Sequence, residues 1–554
     1  MKVELLSINC SYIHTALATR WLYVAKDKQH DVKVRDYSIK DSIQKIVNDM
    51  CQSQPEVIGL SVYIWNADIM KELIVELAQV LPKCRLICGG PEVSYQCDEF
   101  LKLPIEAVIR GEGEIAFWQV VNGNTDVDGY VSLTKVSKNT YAKVDLKYLE
   151  TLESPFFLEF DRQSQKNKYL YLETSRGCPY NCSYCLSSLE KGIRMFSLNY
   201  VKKQLKQLET IPCKQVKFLD RTFNIDAARA LEIAQYIEQL NVTVSFEFEV
   251  MVEYLSEELL NFFEHCRPNR YRFEVGVQSF NQKTLRSVNR FQNSAKLKTN
   301  IKRLKGRGNI VHTDLIAGLP YEDYASFKAS FQELYGLKST EMQIGILKLL
   351  KGTKLAADKD KYGIEVTTKT PYVTYKTNWL SEKDLIKITY LYHATEKVHN
   401  NPRLKYTLDY LYDDQQDVFE ILTSLGEKID NFSQNIQIKN YFLFMYEILQ
   451  KQTNYSDLKI KSLLMMDYYR LFKVRPTNIF QLQVSRPIKQ MLFKQMTYSL
   501  NYLENYAIVT WGYLKDKAIY QVVVYSRENK KPEIFWFDLD FRMLAQIQPN
   551  THSY

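Results

Sequence analysis

Three cysteines, Cys178, Cys182 and Cys185, lie within eight positions in TSRGCPYNCSYC (174–185), on a chain of 554 residues that has ten cysteines in all. Thiolates are metal ligands and nucleophiles, so their number and spacing limit the chemistry. Four would close a tetrahedral zinc site or fully ligate a four-iron cluster. Three, spaced CxxxCxxC after a strand, hold three irons of a [4Fe-4S] cluster and leave the fourth open to a small molecule that can receive an electron. The competing readings are a zinc site completed by a distant histidine, and inert thiols. Cys10, Cys51, Cys84, Cys88, Cys97, Cys213 and Cys266 are scattered, as small buried hydrophobes in a reducing compartment would be.

The triplet needs a scaffold, and strand-helix alternation supplies two. Strands are expected at 2–9, 31–39, 56–63, 85–90 and 107–114, with apolar-periodic segments such as ADIMKELIVELAQVL between them. This predicts an α/β, doubly wound (Rossmann-like) parallel sheet over residues 1–140. Ligands of such sheets sit at the carboxyl ends of the strands, where INCSYIH, SVYIWN, GGPEVS and RGEGE fall. Residues 141–168 read as a polar linker. A second series, with strands at 169–175, 215–224, 243–250, 270–279, 309–319 and 341–350, predicts a partial (β/α)6 barrel of the TIM type over 169–355, with its chemistry again at the strand ends. From 356 to 554 the pattern becomes mostly helical and dense in Tyr and Phe, with a strand pair expected around YAIVTWGYLKD and AIYQVVVYS.

Hydrophobic residues make up 45% of the chain and charged residues 25%, the balance of a folded globular protein. No window of 18 apolar residues occurs and the start MKVELLSINCSYIH has no long apolar core, so a cytoplasmic protein without a membrane partner is expected. The net charge of +9 permits a nucleic-acid partner and does not require one.

The CxxxCxxC loop, with aromatic Tyr184 before its last cysteine, resembles that of the radical S-adenosylmethionine (SAM) superfamily. The resemblance implies an enzyme in which Cys178, Cys182 and Cys185 hold a [4Fe-4S] cluster whose open iron chelates SAM, and reductive cleavage gives a 5′-deoxyadenosyl radical. It also implies an electron donor, a reductase or flavodoxin-type protein. VGVQSFNQKTLRSVNR (275–290) is similar to the segment that gives a Gln and an Arg to SAM in coproporphyrinogen-oxidase-like members, which points to Gln278 and Arg290. HTDLIAGLPYED resembles their DLIxGLP strand and points to Asp314, and Glu249 matches a strand-end acid facing SAM. Where the family commonly shows GGE, this chain has FLDRTFN, so either Asp220 accepts from the SAM amine or Arg221 instead holds a carboxylate.

A doubly wound domain ahead of such a barrel resembles the cobalamin (vitamin B12)-binding subclass. Its His-ligated domains carry DxHxxG, then SxL, then GG, and His14, Ser61 and the pair Gly89, Gly90 fall close to that register. The Asp and Gly of the first motif are missing, and the Asp is what orients a ligating imidazole. His14 is therefore either an axial cobalt ligand or a polar rim residue. Tyr12, Tyr63, Trp65, Glu92, Gly111 and Glu112 complete the candidate cobalamin rim. The resemblance implies methyl transfer to an unactivated carbon. Two alternatives are a cobalamin-free, RNA- or peptide-modifying enzyme like the methylthiotransferases, and a non-catalytic cluster or cobalamin sensor. The sequence identifies neither the substrate nor the role of residues 356–554.

Overall fold

The computed structural model describes residues 1–432, 436–473, 484–497, 506–514, 517–525 and 532–547. The first sheet has strands β1 (Lys2–Asn9), β2 (Asp31–Ser38), β3 (Val57–Ser61), β4 (Arg85–Gly89), β5 (Ala107–Ile109) and β6 (Tyr130–Val131), in the order β2-β1-β3-β4-β5-β6. The first five run parallel and β6 is antiparallel. β1 and β3 are buried almost without a break because both their faces are covered, as in parallel sheets flanked by helices. Helices α2 (Ile43–Ser53) and α3 (Ala67–Val80) cover one face through Met50, Leu73 and Leu77. On the other face α1 (Leu17–Val24) packs against α4 (Gly113–Val121), which buries Phe117, Trp118 and Val121. The fifth strand stops at Ile109, short of the expected 114, because Gly113 already begins α4.

The second sheet is parallel, with β7 (Tyr169–Leu172), β10 (Gln215–Phe218), β11 (Phe246–Glu249), β12 (Tyr271–Gln278), β13 (Ile310–Ala317) and β14 (Glu341–Ile346) in the order β14-β13-β12-β11-β10-β7. Its strands alternate strictly. Val216, Phe246, Phe248, Tyr271 and Phe273 pack outward into the core, while Lys217, Glu247, Arg272, Glu274 and His312 share the opposite, polar lumen face. The cysteine segment stands outside this ladder on a hairpin of its own, β8 (Ser175–Cys178) against β9 (Gly192–Met195).

Residues 141–168 are not a solvated tether. Phe156, Phe157 and Leu158 are buried, and Trp21 of the first domain shares their core with the barrel. Beyond the barrel, helices Glu382–Ala394, Val418–Asp430, Ile438–Gln452 and Asp457–Leu471 join the same core. The aromatic stripe Tyr441, Phe442 and Met445 is among the residues they bury. The expected strand pair forms as β15 (Tyr506–Leu514) and β16 (Lys517–Tyr525), and Glu533–Phe537 and Met543–Ile547 extend it to a four-stranded antiparallel sheet. Residues 515, 516 and 526 of the pair lie outside the described residues. Among the described residues no helix is long and apolar enough to cross a membrane.

Candidate functional site

The hairpin that carries the thiols is fixed from several sides. Gly177 has φ +94°, and a side chain there would run into the Gly192 carbonyl, so the strands close as tightly as glycine allows. Inside the loop, Ser183 N–H donates to Val288 O (3.0 Å), and Leu355 N–H donates to Ser183 O (2.8 Å). Cys182 is buried; Cys178 and Cys185 are half-buried. Burial raises the Cys178 thiol above its usual range, and the charges of Cys185 and Cys182 add to the rise, so the three sulfurs are electrostatic neighbours. Among the described residues no group of three or more His, Cys, Asp or Glu is placed to hold a single metal ion. Three neighbouring thiols match the ligand count of a cluster with one open iron, whereas a zinc tetrahedron takes four.

Asp220, expected as an acceptor for the SAM amine, is engaged by the protein's own donors. It is 2% exposed, accepting from Thr174 N (3.0 Å), Thr174 Oγ1 (2.6 Å) and Ser175 Oγ (2.6 Å). Both of its oxygens are occupied in pinning the turn from β7 into β8, so it braces the cysteine hairpin from beneath.

The other rim residues converge. Arg290 is buried against Tyr184 and Cys182, and its guanidinium donates to the Gly276 carbonyl. Gln278 adopts φ +67°, is 9% exposed and leaves Oε1 without a partner. Glu249, Glu274 and Asp314 crowd adjacent strands on the lumen face. Burial, reinforced by Glu274 and Asp314, pushes Glu249 up to about 7 despite Arg221 at 3.6 Å. Asp314 lies 3.0 Å from His312 Nε2; although burial opposes it, the neighbouring carboxylates of Asp314 and Glu341 raise His312 to about 10.

Between the two strand-end rims lies a cavity of about 670 Å³. His14, Ser61, Tyr63, Trp65, Gly89, Gly90, Gly111 and Glu112 line one side, and Tyr171, Glu173, Arg176, Leu219 and Arg221 the other. The volume is in the range of small-molecule and cofactor sites. Tyr63 and Trp65 stack face to face (4.4 Å, 8°), and Trp65 Nε1 and Asn66 Nδ2 fix their loop on Ile8 O (3.0 and 2.9 Å). Gly90, at φ +111°, lies so close to Val62 that a Cβ would come within 2.5 Å of its carbonyl oxygen. His14 Nδ1 is 2.5 Å from the Tyr171 hydroxyl, which the second sheet supplies. Burial, helped by the Lys217 charge, lowers His14 and favours neutral imidazole. A flat aromatic floor, close backbone and a neutral imidazole fit a large planar cofactor with polar edges.

Two expected rim residues are elsewhere. Tyr12 is 63% exposed, outside the cavity and under Lys168 (5.0 Å), because its loop turns outward after β1. Glu92 is buried in the opposite direction, accepting from the Tyr372 hydroxyl (2.7 Å) with Lys351 at 3.5 Å. Glu112 lines the cavity but is taken by Arg194, Val144 N–H (2.7 Å) and Arg176 (3.7 Å). The sequence reading missed Arg176, which also pairs with Glu114 (2.7 Å) and Glu173 (3.0 Å) and lies over Trp21. Its signal was present: a lone arginine two residues before the first cysteine, and two acids at the start of α4.

Three family models match the chain: B12 binding domain over residues 6–121, Radical SAM superfamily over 172–334, and Protein of unknown function (DUF4080) over 360–531. Among curated relatives, an uncharacterized methyltransferase of Pyrococcus horikoshii is 24% identical over 347 residues, covering 59% of this chain and 74% of that one. The cobalamin-dependent radical SAM methyltransferase TokK of Streptomyces tokunonensis is 25% identical over 351 residues, covering 58% of this chain and 51% of its own. The match thus spans about half the length of TokK. Among solved structures, the cobalamin-dependent SAM radical enzyme OxsB with aqua-cobalamin and SAM bound shares the fold at TM-score 0.61 and 16% identity, over 90% of this chain and 83% of that one. The radical SAM methyltransferase TsrM of Kitasatospora setae does so at TM-score 0.53 and 16% identity, over 66% and 77%.

Proposed function

We propose that the chain is a cobalamin-dependent radical SAM methyltransferase acting on an unactivated carbon, a reading supported by its matches to the B12 binding domain over residues 6–121 and to the Radical SAM superfamily over 172–334. The observation that carries this is the cavity, which has the B12-type rim on one wall and the strand ends beside the cysteine hairpin on the other. When bound, the cluster, SAM and cobalamin supply the chemistry, reductive formation of a 5′-deoxyadenosyl radical and a methyl group for transfer.

The protein's own residues position these groups. Cys178, Cys182 and Cys185 would ligate three irons, and Asp220 holds their hairpin in place. Tyr184, Gln278, Arg290, Glu249 and Asp314, on or beside the strand ends of the second sheet, would contact SAM. Ser61, Tyr63, Trp65, Gly89, Gly90 and Gly111 would seat cobalamin, with His14 held at its edge by Tyr171. The reading takes residues 1–140, 169–355 and 356–554 as three working units, with the helices Glu382–Ala394, Val418–Asp430, Ile438–Gln452 and Asp457–Leu471 of the last sharing the barrel's core. A flavodoxin-type electron donor and a cytoplasmic setting complete the reading. A methylthiotransferase would bring a second cysteine triplet, and the remaining cysteines are scattered between core and surface.

The test is anaerobic incubation of reconstituted protein with SAM and a chemical reductant. Formation of 5′-deoxyadenosine supports the reading. Its absence, with cluster and cobalamin both bound, favours the sensor.

A further inference from the structure

Two polar atoms sealed in the cavity wall have no partner in the protein, Glu114 Oε2 and Thr15 Oγ1. Glu114 stands in the first turn of α4 and is 6% exposed, with Oε1 taken by Arg176 at 2.7 Å. Thr15 lies just ahead of α1, the helix that packs against α4, so both belong to one wall. A buried acceptor left unmet costs about 1–3 kcal/mol, and more when charged, so such exceptions call for a partner.

The neighbouring groups do not supply one. Glu112 is engaged by Arg194, Arg176 and Val144 N–H, and Glu173 accepts from Trp21 Nε1 (3.1 Å) and Arg176. Arg176 already balances the Glu114 charge through Oε1, so the complement of Oε2 is a neutral N–H or O–H donor. We propose that Glu114 is a cobalamin-binding residue that accepts a hydrogen bond from a primary amide of the corrin periphery or a hydroxyl of the nucleotide tail, with the Thr15 hydroxyl beside it. This rests on the cobalamin reading above and moves the acidic contact from Glu112 to Glu114.

Equilibrium dialysis of the full chain against hydroxocobalamin and against dicyanocobinamide, which lacks the nucleotide tail, tests it. Glu114→Ala should weaken hydroxocobalamin binding about tenfold or more, the scale of a lost hydrogen bond to a charged group. Weakening of both ligands assigns the donor to a corrin amide, and weakening of hydroxocobalamin alone assigns it to the tail. Glu114→Gln, which can keep an oxygen on Arg176, and Thr15→Val provide folded alternatives if the alanine variant fails to fold. Unchanged affinity for both ligands in folded variants overturns the proposal. Failure of the unaltered protein to bind hydroxocobalamin overturns the cobalamin reading itself.

Discussion

Arg176 Nη2 sits 2.7 Å from Glu114 Oε1, joining the strand that leads into the first cysteine to the helix that opens on the other domain's rim. The side chain is 11% exposed and faces three carboxylates, Glu112, Glu114 and Glu173. Arg176→Met should leave Glu114 and Glu173 without this cation, while Glu112 keeps Arg194, and lower stability by about 3–5 kcal/mol, the usual cost of breaking a buried pair from one side. Arg176→Lys should recover only part, because an ammonium lacks the planar fork. Thermal midpoints in the order unaltered, Lys, Met check this; equal midpoints would show that the contact is incidental.

Asp220→Asn should loosen the cysteine hairpin without touching the B12-type rim. We expect iron content after reconstitution to fall severalfold while hydroxocobalamin affinity is retained. Full iron loading would contradict the bracing role of the hydrogen bonds to Thr174 and Ser175.

Tyr171→Phe and His14→Ala address the imidazole. With Nδ1 against the Tyr171 hydroxyl, His14 is read as an edge residue, so both variants should bind cobalamin almost as tightly as the unaltered protein. A large loss in His14→Ala, with a changed spectrum of the bound cofactor, would instead establish axial ligation.

Glu322 gives a pH signature. It is fully buried, accepts from Ser279 Oγ (2.5 Å) and Ser330 Oγ (3.2 Å), and burial pushes it from 4.5 up to about 7. Between those values the folded state keeps a proton that the unfolded chain releases, so stability falls as pH rises from about 4.5 to 7 and then levels off. The loss amounts to about 3 kcal/mol. Glu322→Gln should make the dependence of the thermal midpoint shallower over this range, leaving the share of Glu249, which burial holds near the same value; an equally steep profile would assign it to other groups.

The sequence was most legible where the pattern is local. The CxxxCxxC spacing, the alternating strands β10 to β14 and the short apolar run of β3 each carry their own local pattern, and the elements appear close to where it put them. It was least legible where a side chain's partner is distant. Glu112 looked like a ligand contact until Arg194, 82 residues on, was seen to hold it. Glu92 is turned away by Tyr372, 280 residues on, and Asp220 is occupied by Thr174 and Ser175, 46 and 45 residues back. Polar composition likewise hid the packing of 141–168, because a few buried residues such as Phe156 and Leu158 anchor an otherwise hydrophilic stretch. The last two strands were missed because short runs such as EIFWF have no period long enough to read.

The most direct test of the central claim is the visible spectrum and cobalamin content of anaerobically reconstituted protein after removal of unbound cofactor. The account predicts near-stoichiometric cobalamin together with cluster absorbance that disappears in Cys182→Ala. Cluster absorbance without retained cobalamin would contradict it, and would leave the cavity between the two rims as a substrate site.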